Sequence, residues 1–166
     1  MRDCVDLVEQ LATERGIQIE CQTPPCFVTG DWDRLSQVVM NLLTNAIRYN
    51  VDGGQVRAST RIEEGIAVFS VFDTGVGVAE DQLLLIFDRF YQVDKARSRA
   101  EGSCGLGLSI CKTIVEAHGG SITATSRLNV GTTMEVRLPL AEDPAASKGE
   151  ESREPGLESA LAESRM

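Results

Sequence analysis

The stretch NLLTNAIRYN at 41–50 carries polar side chains at helical spacing. Asn41, Asn45, Arg48 and Tyr49 lie four, three and one residues apart and line one side of a helix. Asparagine is less favourable than alanine inside a helix, so Asn45 needs a reason. Its amide oxygen is a hard, neutral ligand suited to Mg²⁺ beside phosphates, and Arg48 and Tyr49 can reach phosphate oxygens. The alternative is a solvated polar helix face without a ligand.

A second group directly follows a run of apolar residues and reads Asp73-Thr-Gly75-Val-Gly77-Val. A carboxylate at the end of a buried strand can accept a hydrogen bond from the exocyclic amine of adenine, a charge-assisted bond worth roughly 1.5–3 kcal/mol. Because glycine has no side chain, Gly75 and Gly77 let the backbone come close to a flat base. The alternative is an ordinary turn that begins with an aspartate.

A third group, Gly102-Ser-Cys-Gly105-Leu-Gly107-Leu, opens a helix. Backbone N–H groups and a partial positive charge at a helix N-terminus form a natural phosphate site. The segment matches neither GxxxxGK[ST] nor GxGxxG, so it is neither a Walker P-loop nor a dinucleotide fingerprint.

Aromatic residues border a stretch without hydrophobic periodicity. Phe87, Phe90 and Tyr91 lie where residues 88–104 become rich in charge, serine and glycine. We expect a mobile loop there, with the aromatic side chains anchoring it as the hinge of a lid. Three ordinary core aromatics are the alternative.

In this order and spacing, the segments around 41–50, 73–78, 86–91 and 102–108 resemble the N, G1, F and G2 boxes of sensor histidine kinases. These kinases belong to a wider family with gyrase, MutL and heat-shock chaperone ATPases. AHGG, GT and LP follow in order between 117 and 139, as at the close of the kinase domain. The resemblance covers the chain from its first residue to about 140.

The resemblance implies a Bergerat-type α/β sandwich that binds ATP and Mg²⁺. By analogy Asp73 holds adenine and Asn45 binds Mg²⁺. Gly105 and Gly107 would cradle the phosphates. In the lid, Lys95, Arg97 and Arg99 are candidates for the γ-phosphate. The implied nucleotide contacts are Asn41, Asn45, Arg48, Tyr49, Asp73, Gly75, Gly77, Phe87, Tyr91, Lys95, Arg97, Gly102, Gly105, Leu106, Gly107, Leu108 and Thr132.

The residue at 41 helps to choose among members of the family. Its ATPases and serine-directed kinases carry a glutamate four residues before the metal-binding asparagine, as a base that deprotonates water or a serine hydroxyl. Asn41 cannot accept a proton, which favours a histidine acceptor. The resemblance thus implies the ATP-binding module of a two-component sensor histidine kinase. Its partners would be a histidine-bearing dimerisation domain of the homodimeric parent and, indirectly, a response regulator.

The single histidine, His118, is not expected to be the acceptor. An acceptor histidine belongs on an exposed helix beside an acid, whereas His118 ends a helix before Gly119-Gly120, so we interpret it as structural or capping. The chain alone should then bind ATP without phosphorylating itself. Ser103 and Cys104 depart from the family's usual glycine and Ser/Thr, which predicts weaker nucleotide binding. They leave a non-catalytic nucleotide-binding regulator as the alternative function.

The scaffold for these segments follows from periodicity. Helices are predicted over 3–15, 33–49 and 105–117, with a short one over 80–87. Strands are predicted over 17–21, 26–29, 56–62, 66–72, 121–126 and 132–138. Because most strands come in hairpins, we predict one α/β domain of two layers, a mixed, mostly antiparallel sheet with about three helices on one face.

Composition narrows the functional classes. The net charge is −9, with seven acids against three basic residues in 141–166, which argues against nucleic acid as a partner. We predict a catalytic domain over 1–140 and a disordered acidic tail over 141–166. No run reaches the roughly 18 apolar residues of a membrane helix. Five cysteines without a CxxC pair predict reduced thiols in a cytoplasmic protein, although the parent kinase can reside in the inner membrane.

Overall fold

A five-stranded sheet forms one layer of the domain. The computed structural model describes residues 2–93 and 104–141. Within them the sheet has the order β1-β2-β3-β5-β4, with β1 parallel to β2 and every other neighbouring pair antiparallel. This confirms the predicted mixed, mostly antiparallel sheet. The strands are β1 (Gln18–Gln22), β2 (Gln55–Glu63), β3 (Ile66–Asp73), β4 (Ser121–Arg127) and β5 (Gly131–Pro139).

Three α-helices form the second layer: α1 (Arg2–Glu14), α2 (Trp32–Arg48) and α3 (Gly107–Ala117). Their buried side chains join one cluster with the side chains on a single face of the sheet. The two-layer α/β sandwich with three helices on one face is therefore confirmed. None of the helices in the described part of the chain is both long and apolar enough to cross a membrane.

Helix α2 lies at the centre of the helical layer and carries the first polar segment. Its start is fixed by Asp31, whose side chain accepts a hydrogen bond from the backbone N–H of Arg34 at 3.0 Å. Its apolar stripe is buried against the sheet and the neighbouring helices, which fixes the rotation of the helix. The buried residues are Val38, Leu42, Leu43, Ala46 and Ile47.

Strand β3 is buried on both faces, as its apolar run predicts. Val71 faces the helices, while Val68 faces away from them and is also fully buried. Arg61 and Arg137 are the direct cross-strand neighbours of Val68 and share Glu63 as an ion-pair partner. The stems of such long side chains can cover apolar surface while their charges pair above it.

Three predicted elements differ from the structure. The helix predicted over 80–87 is instead two 3₁₀ turns, Glu80–Gln82 and Leu85–Phe87. The strand predicted over 26–29 is a single bridge between Val28 and Leu140, close behind two prolines that lack N–H donors. The last helix begins at Gly107 rather than at 105, because Gly105 has a φ of +65°, outside the helical region.

Candidate functional site

Most of the predicted site residues meet in one cavity of about 680 Å³. It lies between the polar side of α2, the end of β3 with the loop that follows it, and the start of α3. The predicted residues that line it are Asn41, Asn45, Arg48, Tyr49, Asp73, Gly77, Tyr91, Gly105, Leu106, Gly107, Leu108 and Thr132. The polar side of α2 therefore faces a pocket, which favours a binding face over a merely solvated one.

Asp73 closes the inner end of this cavity. It is the last residue of β3, pairs with Val56 and Thr132 on the flanking strands, and is only 7% exposed. Its carboxylate accepts a hydrogen bond from the N–H of Gly75 at 2.8 Å. Burial raises the pKa of Asp73 to about 6, although hydrogen bonds from the backbone of Gly75 and Thr132 act in the opposite direction. The pocket thus holds a carboxylate poised to accept a further hydrogen bond.

The glycines after Asp73 act by different contacts. A Cβ on Gly75 would lie 2.2 Å from the carbonyl oxygen of Tyr49, and Gly75 does not line the cavity. Its lack of a side chain therefore serves the contact between this loop and α2, while the expected approach to a base stays a prediction. Gly77 does line the cavity, and a Cβ there would lie 2.2 Å from the carbonyl oxygen of Arg127.

Ser126 holds the loop that follows β3 from the side opposite α2. The sequence did not predict this role. Its hydroxyl accepts a hydrogen bond from Val78 N–H at 2.8 Å and donates one to the Gly131 carbonyl at 2.8 Å. Its oxygen also lies 2.9 Å from the hydroxyl of Thr132. A serine in an alternating polar strand carries no signal for this role, since the role depends on contact with a loop nearly fifty positions away.

The opposite end of the cavity lies between α2 and the start of α3. Asn41 faces Gly107, where a Cβ would lie 3.9 Å from the Asn41 amide oxygen. Leu106, the N-cap residue of α3, makes no side-chain cap, so within the described part of the chain the first N–H groups of the helix stay available to an anion. The thiol of Cys111 is fully buried beneath Asn41. Burial raises the pKa of Cys111 to about 11, opposed by a hydrogen bond with the Asn41 side chain.

Of the predicted site residues that the structure describes, Gly75 and Phe87 do not line the cavity. Phe87 packs against the hydrophobic core, but Phe90 is 71% exposed and Tyr91 lines the cavity, so the three aromatics are not all core residues. The candidates in the lid, Lys95, Arg97, Arg99 and Gly102, lie outside the described residues.

The cavity also contains residues that the sequence analysis did not name. Gln37 extends the polar side of α2 by one turn, and Thr44 lies between the two asparagines on that side. Their helical spacing from Asn41 could have identified them as cavity residues. Apolar side chains from the sheet, the helices and the second 3₁₀ turn complete the wall. Their place in the wall becomes visible only in the folded chain. They include Ala46, Val71, Ile86, Ile110 and Met134.

His118 is held between two elements, which supports its interpretation as a structural residue. Its Nδ1 lies 2.7 Å from the Ile114 carbonyl, and its Nε2 accepts a hydrogen bond from the Asp31 N–H at 3.0 Å. Both ring nitrogens therefore have partners within the domain, and the imidazole joins the end of α3 to the start of α2.

Comparison with known proteins identifies the family. The pattern of the family described as histidine kinase-, DNA gyrase B-, and HSP90-like ATPase matches residues 30–142, more than half of the chain. The chain belongs to this family. Within it, the chain is 46% identical over 114 residues to the sensor protein SrrB of Staphylococcus aureus strain MRSA252. That match covers 69% of this chain and 20% of SrrB, so the chain spans about a fifth of its relative's length.

Solved structures of family members agree. The catalytic domain of histidine kinase ThkA is 29% identical with a TM-score of 0.73, and the match covers 83% of this chain and 88% of that domain. Full-length ShkA in complex with AMPPNP is 30% identical with a TM-score of 0.75, covering 86% of this chain and 29% of ShkA. This chain therefore contains an ATP-binding domain of the histidine kinase type, as the resemblance implied.

Proposed function

We propose that this chain is the ATP-binding half of a two-component sensor histidine kinase. It would transfer the γ-phosphate of ATP to a histidine on a separate dimerisation domain. The observation that carries the proposal is one cavity with a buried carboxylate at one end and, at the other, the polar side of α2 facing the open N-terminus of α3.

Adenine fits the inner end. The Asp73 carboxylate accepts a hydrogen bond from the exocyclic amine, a donor that guanine lacks at the equivalent ring position. The neighbouring walls are apolar and include Val71, Ile86 and Met134, which suit the faces of a flat base. Thr132 stands beside Asp73 with its hydroxyl held by Ser126, so the polar groups around the base are fixed before it binds.

The phosphates fit the outer end. Arg48 and Tyr49 lie on the last turn of α2, and the N–H groups at the start of α3 point to the same space. The donor set suits Mg²⁺ held mainly by phosphates and water, since Asn45 and Asn41 supply neutral amide oxygens. The ion, when bound, neutralises charge that develops on the transferred phosphoryl group.

The chain's own part in transfer is positioning. Asn41 cannot act as a base, and an imidazole nucleophile has a free lone pair and needs less help than water or a serine hydroxyl. The acceptor histidine would come from the dimerisation domain of a homodimeric parent. A response regulator would receive the phosphate next; ThkA, 26% identical over 84% of this chain with a TM-score of 0.69, has been solved in complex with its response regulator protein TrrA. A cytoplasmic location stays a prediction.

One observation favours a second function. Cys104 lines the cavity, where the family usually carries serine or threonine, and a thiol is a weaker hydrogen-bond donor than a hydroxyl. A nucleotide-binding regulator without transfer activity would be the result. Titration of Mg-ATP followed by addition of the purified dimerisation domain separates the two functions. Acid-labile phosphate on the added domain supports the kinase, whereas binding without labelling supports the regulator.

A further inference from the structure

Arg15 holds the end of the helix that carries the phosphate-facing residues. The last carbonyl groups of any α-helix lack partners within the helix. At the end of α2, Arg15 Nη1 donates to the carbonyl oxygens of Ile47 at 2.7 Å and Arg48 at 2.9 Å. Arg15 Nη2 donates to the carbonyl oxygen of Asn50 at 2.9 Å. One guanidinium therefore serves three carbonyls and places a positive charge at the negative end of the helix dipole.

Further contacts fix Arg15 itself. Its Nε and Nη2 bind the same carboxylate oxygen of Asp52 at 3.0 and 2.9 Å, and its carbonyl accepts the Gly53 N–H at 3.0 Å. Asp52 is 83% exposed whereas the Arg15 side chain is 26% exposed. Water weakens the exposed ion pair, so the half-buried bonds to the carbonyls matter more.

The same turn is held from the other side by the loop that follows β3. Val76 N–H donates to the carbonyl oxygen of Tyr49 at 3.0 Å, and Gly75 packs directly against that oxygen. Loss of the Arg15 contacts would therefore shift Arg48 and Tyr49 and, through Tyr49, the loop beside Asp73.

We propose that Arg15 is a positioning residue for nucleotide binding that couples α1 to the nucleotide site. This rests on the proposed function. Arg15 immediately follows α1 and does not line the cavity, so it acts through the last turn of α2. Lysine, a single point charge, cannot hold three carbonyls in this geometry. Coupling is reciprocal, so nucleotide binding also stabilises the junction between Arg15 and α2.

The test is the affinity of the full chain for Mg-ATP in Arg15→Met and Arg15→Lys, measured well below each variant's unfolding temperature. We expect Arg15→Met to weaken binding about tenfold and Arg15→Lys to recover part of the loss. Two controls should bind like the wild type. Arg57→Met removes an exposed guanidinium that pairs with Glu20 across β1 and β2. Val136→Ala truncates a buried core side chain that does not line the cavity, and we expect it to lower stability alone.

Wild-type affinity in folded Arg15→Met would overturn the proposal, as would an equal loss in Val136→Ala. If Arg15→Met does not fold, Arg15→Lys and amide hydrogen exchange in the wild type decide. Mg-ATP should slow exchange at the end of α1 and at the Gly53 N–H, and unchanged exchange there contradicts the coupling. A wild-type chain that binds no nucleotide contradicts the proposed function itself, so the two failures are distinct.

Discussion

Asp73 is the residue on which the proposed nucleotide site depends most. Its carboxylate is buried at the inner end of the cavity, where its pKa is raised to about 6 mainly by loss of solvation. Folding thus places a group that is costly to ionise at the inner end of the cavity. Buried, perturbed carboxylates of this kind are frequent at functional sites.

Asp73→Asn separates binding from folding. An asparagine oxygen can still accept the hydrogen bond from the Gly75 N–H, but it carries no charge. We expect the affinity for Mg-ATP to fall at least about tenfold, or about 1.4 kcal/mol, while the apo domain is as stable as the wild type or more stable. Calorimetric titration and urea unfolding measure the two effects. Equal affinity for Mg-ATP in the wild type and the variant would show that Asp73 does not bind adenine.

The raised pKa of Asp73 also predicts two pH effects. The ionised form is the stronger hydrogen-bond acceptor, so Mg-ATP affinity should fall as the pH drops through about 6. Stability should change in the opposite direction. Because the folded-state pKa lies above the unfolded value of 3.8, the folded state binds more protons, and this group stabilises the apo domain as the pH falls below about 6.

Asp73→Asn is the control for both pH effects, since other groups on the protein and the nucleotide titrate in the same range. The variant should lose the portion of each pH dependence that belongs to Asp73. An identical pH profile in the two proteins would mean that Asp73 does not titrate near pH 6.

At the scale of elements, the site depends on contacts between segments far apart in the chain. The loop after β3 is held by Ser126 on one side and by the Tyr49 carbonyl on the other. Helix α2 is fixed at its start through Asp31 and His118 and at its end by Arg15. These contacts hold in place the helix and the loop that line the two ends of the cavity.

Ser126→Ala should loosen the loop that follows β3, beside Asp73. The change leaves the N–H of Val78 and the Gly131 carbonyl without their partner, which costs about 1–3 kcal/mol when such groups stay out of water. We expect lower stability in urea and a severalfold loss of Mg-ATP affinity. Ser121→Ala is the matched control, because Ser121 is exposed on the same strand. Equal effects of the two substitutions would contradict a special role for Ser126.

Gly30→Ala tests the junction at the start of α2. A Cβ at Gly30 would lie 2.4 Å from Cδ2 and 2.8 Å from Nε2 of His118, so the imidazole must move and its bond to Asp31 N–H is lost. We expect a loss of about 1–3 kcal/mol in the free energy of unfolding. With His118→Ala the clash with the imidazole disappears and only the contact with Leu35 Cδ1 at 2.9 Å remains, so the double variant should lose less than the sum of the single variants. Strict additivity would show that the two residues do not interact.

At the scale of the whole molecule, the sequence predicted what local pattern encodes. Helix α2 was placed within a residue at each end, because its apolar stripe is periodic and an aspartate caps it. Alternation in β2 and the apolar run of β3 gave the sheet and its hairpins. Asp73 and the asparagines of α2 were picked out by residue type and spacing, and their roles were assigned by the resemblance to the kinase boxes.

The remainder depends on contacts that no local pattern records. The roles of Arg15 and Ser126 arise from partners more than thirty positions away along the chain. The contact of Gly75 with the carbonyl of Tyr49 becomes visible only in the folded chain, so the sequence predicted only an approach to the base. The 3₁₀ turns near Phe87 were missed because short apolar runs have no distinct period. Residues 142–166 of the acidic tail predicted over 141–166, and the lid cations, lie outside the described residues.

The most direct test of the account is phosphate transfer. The chain is incubated with radiolabelled ATP and Mg²⁺, alone and with the purified histidine-bearing dimerisation domain of the same kinase. The account predicts acid-labile label on the added domain, none on this chain by itself, and loss of transfer with Asp73→Asn. An unlabelled acceptor domain in the presence of bound ATP, or stable label on this chain alone, would contradict it.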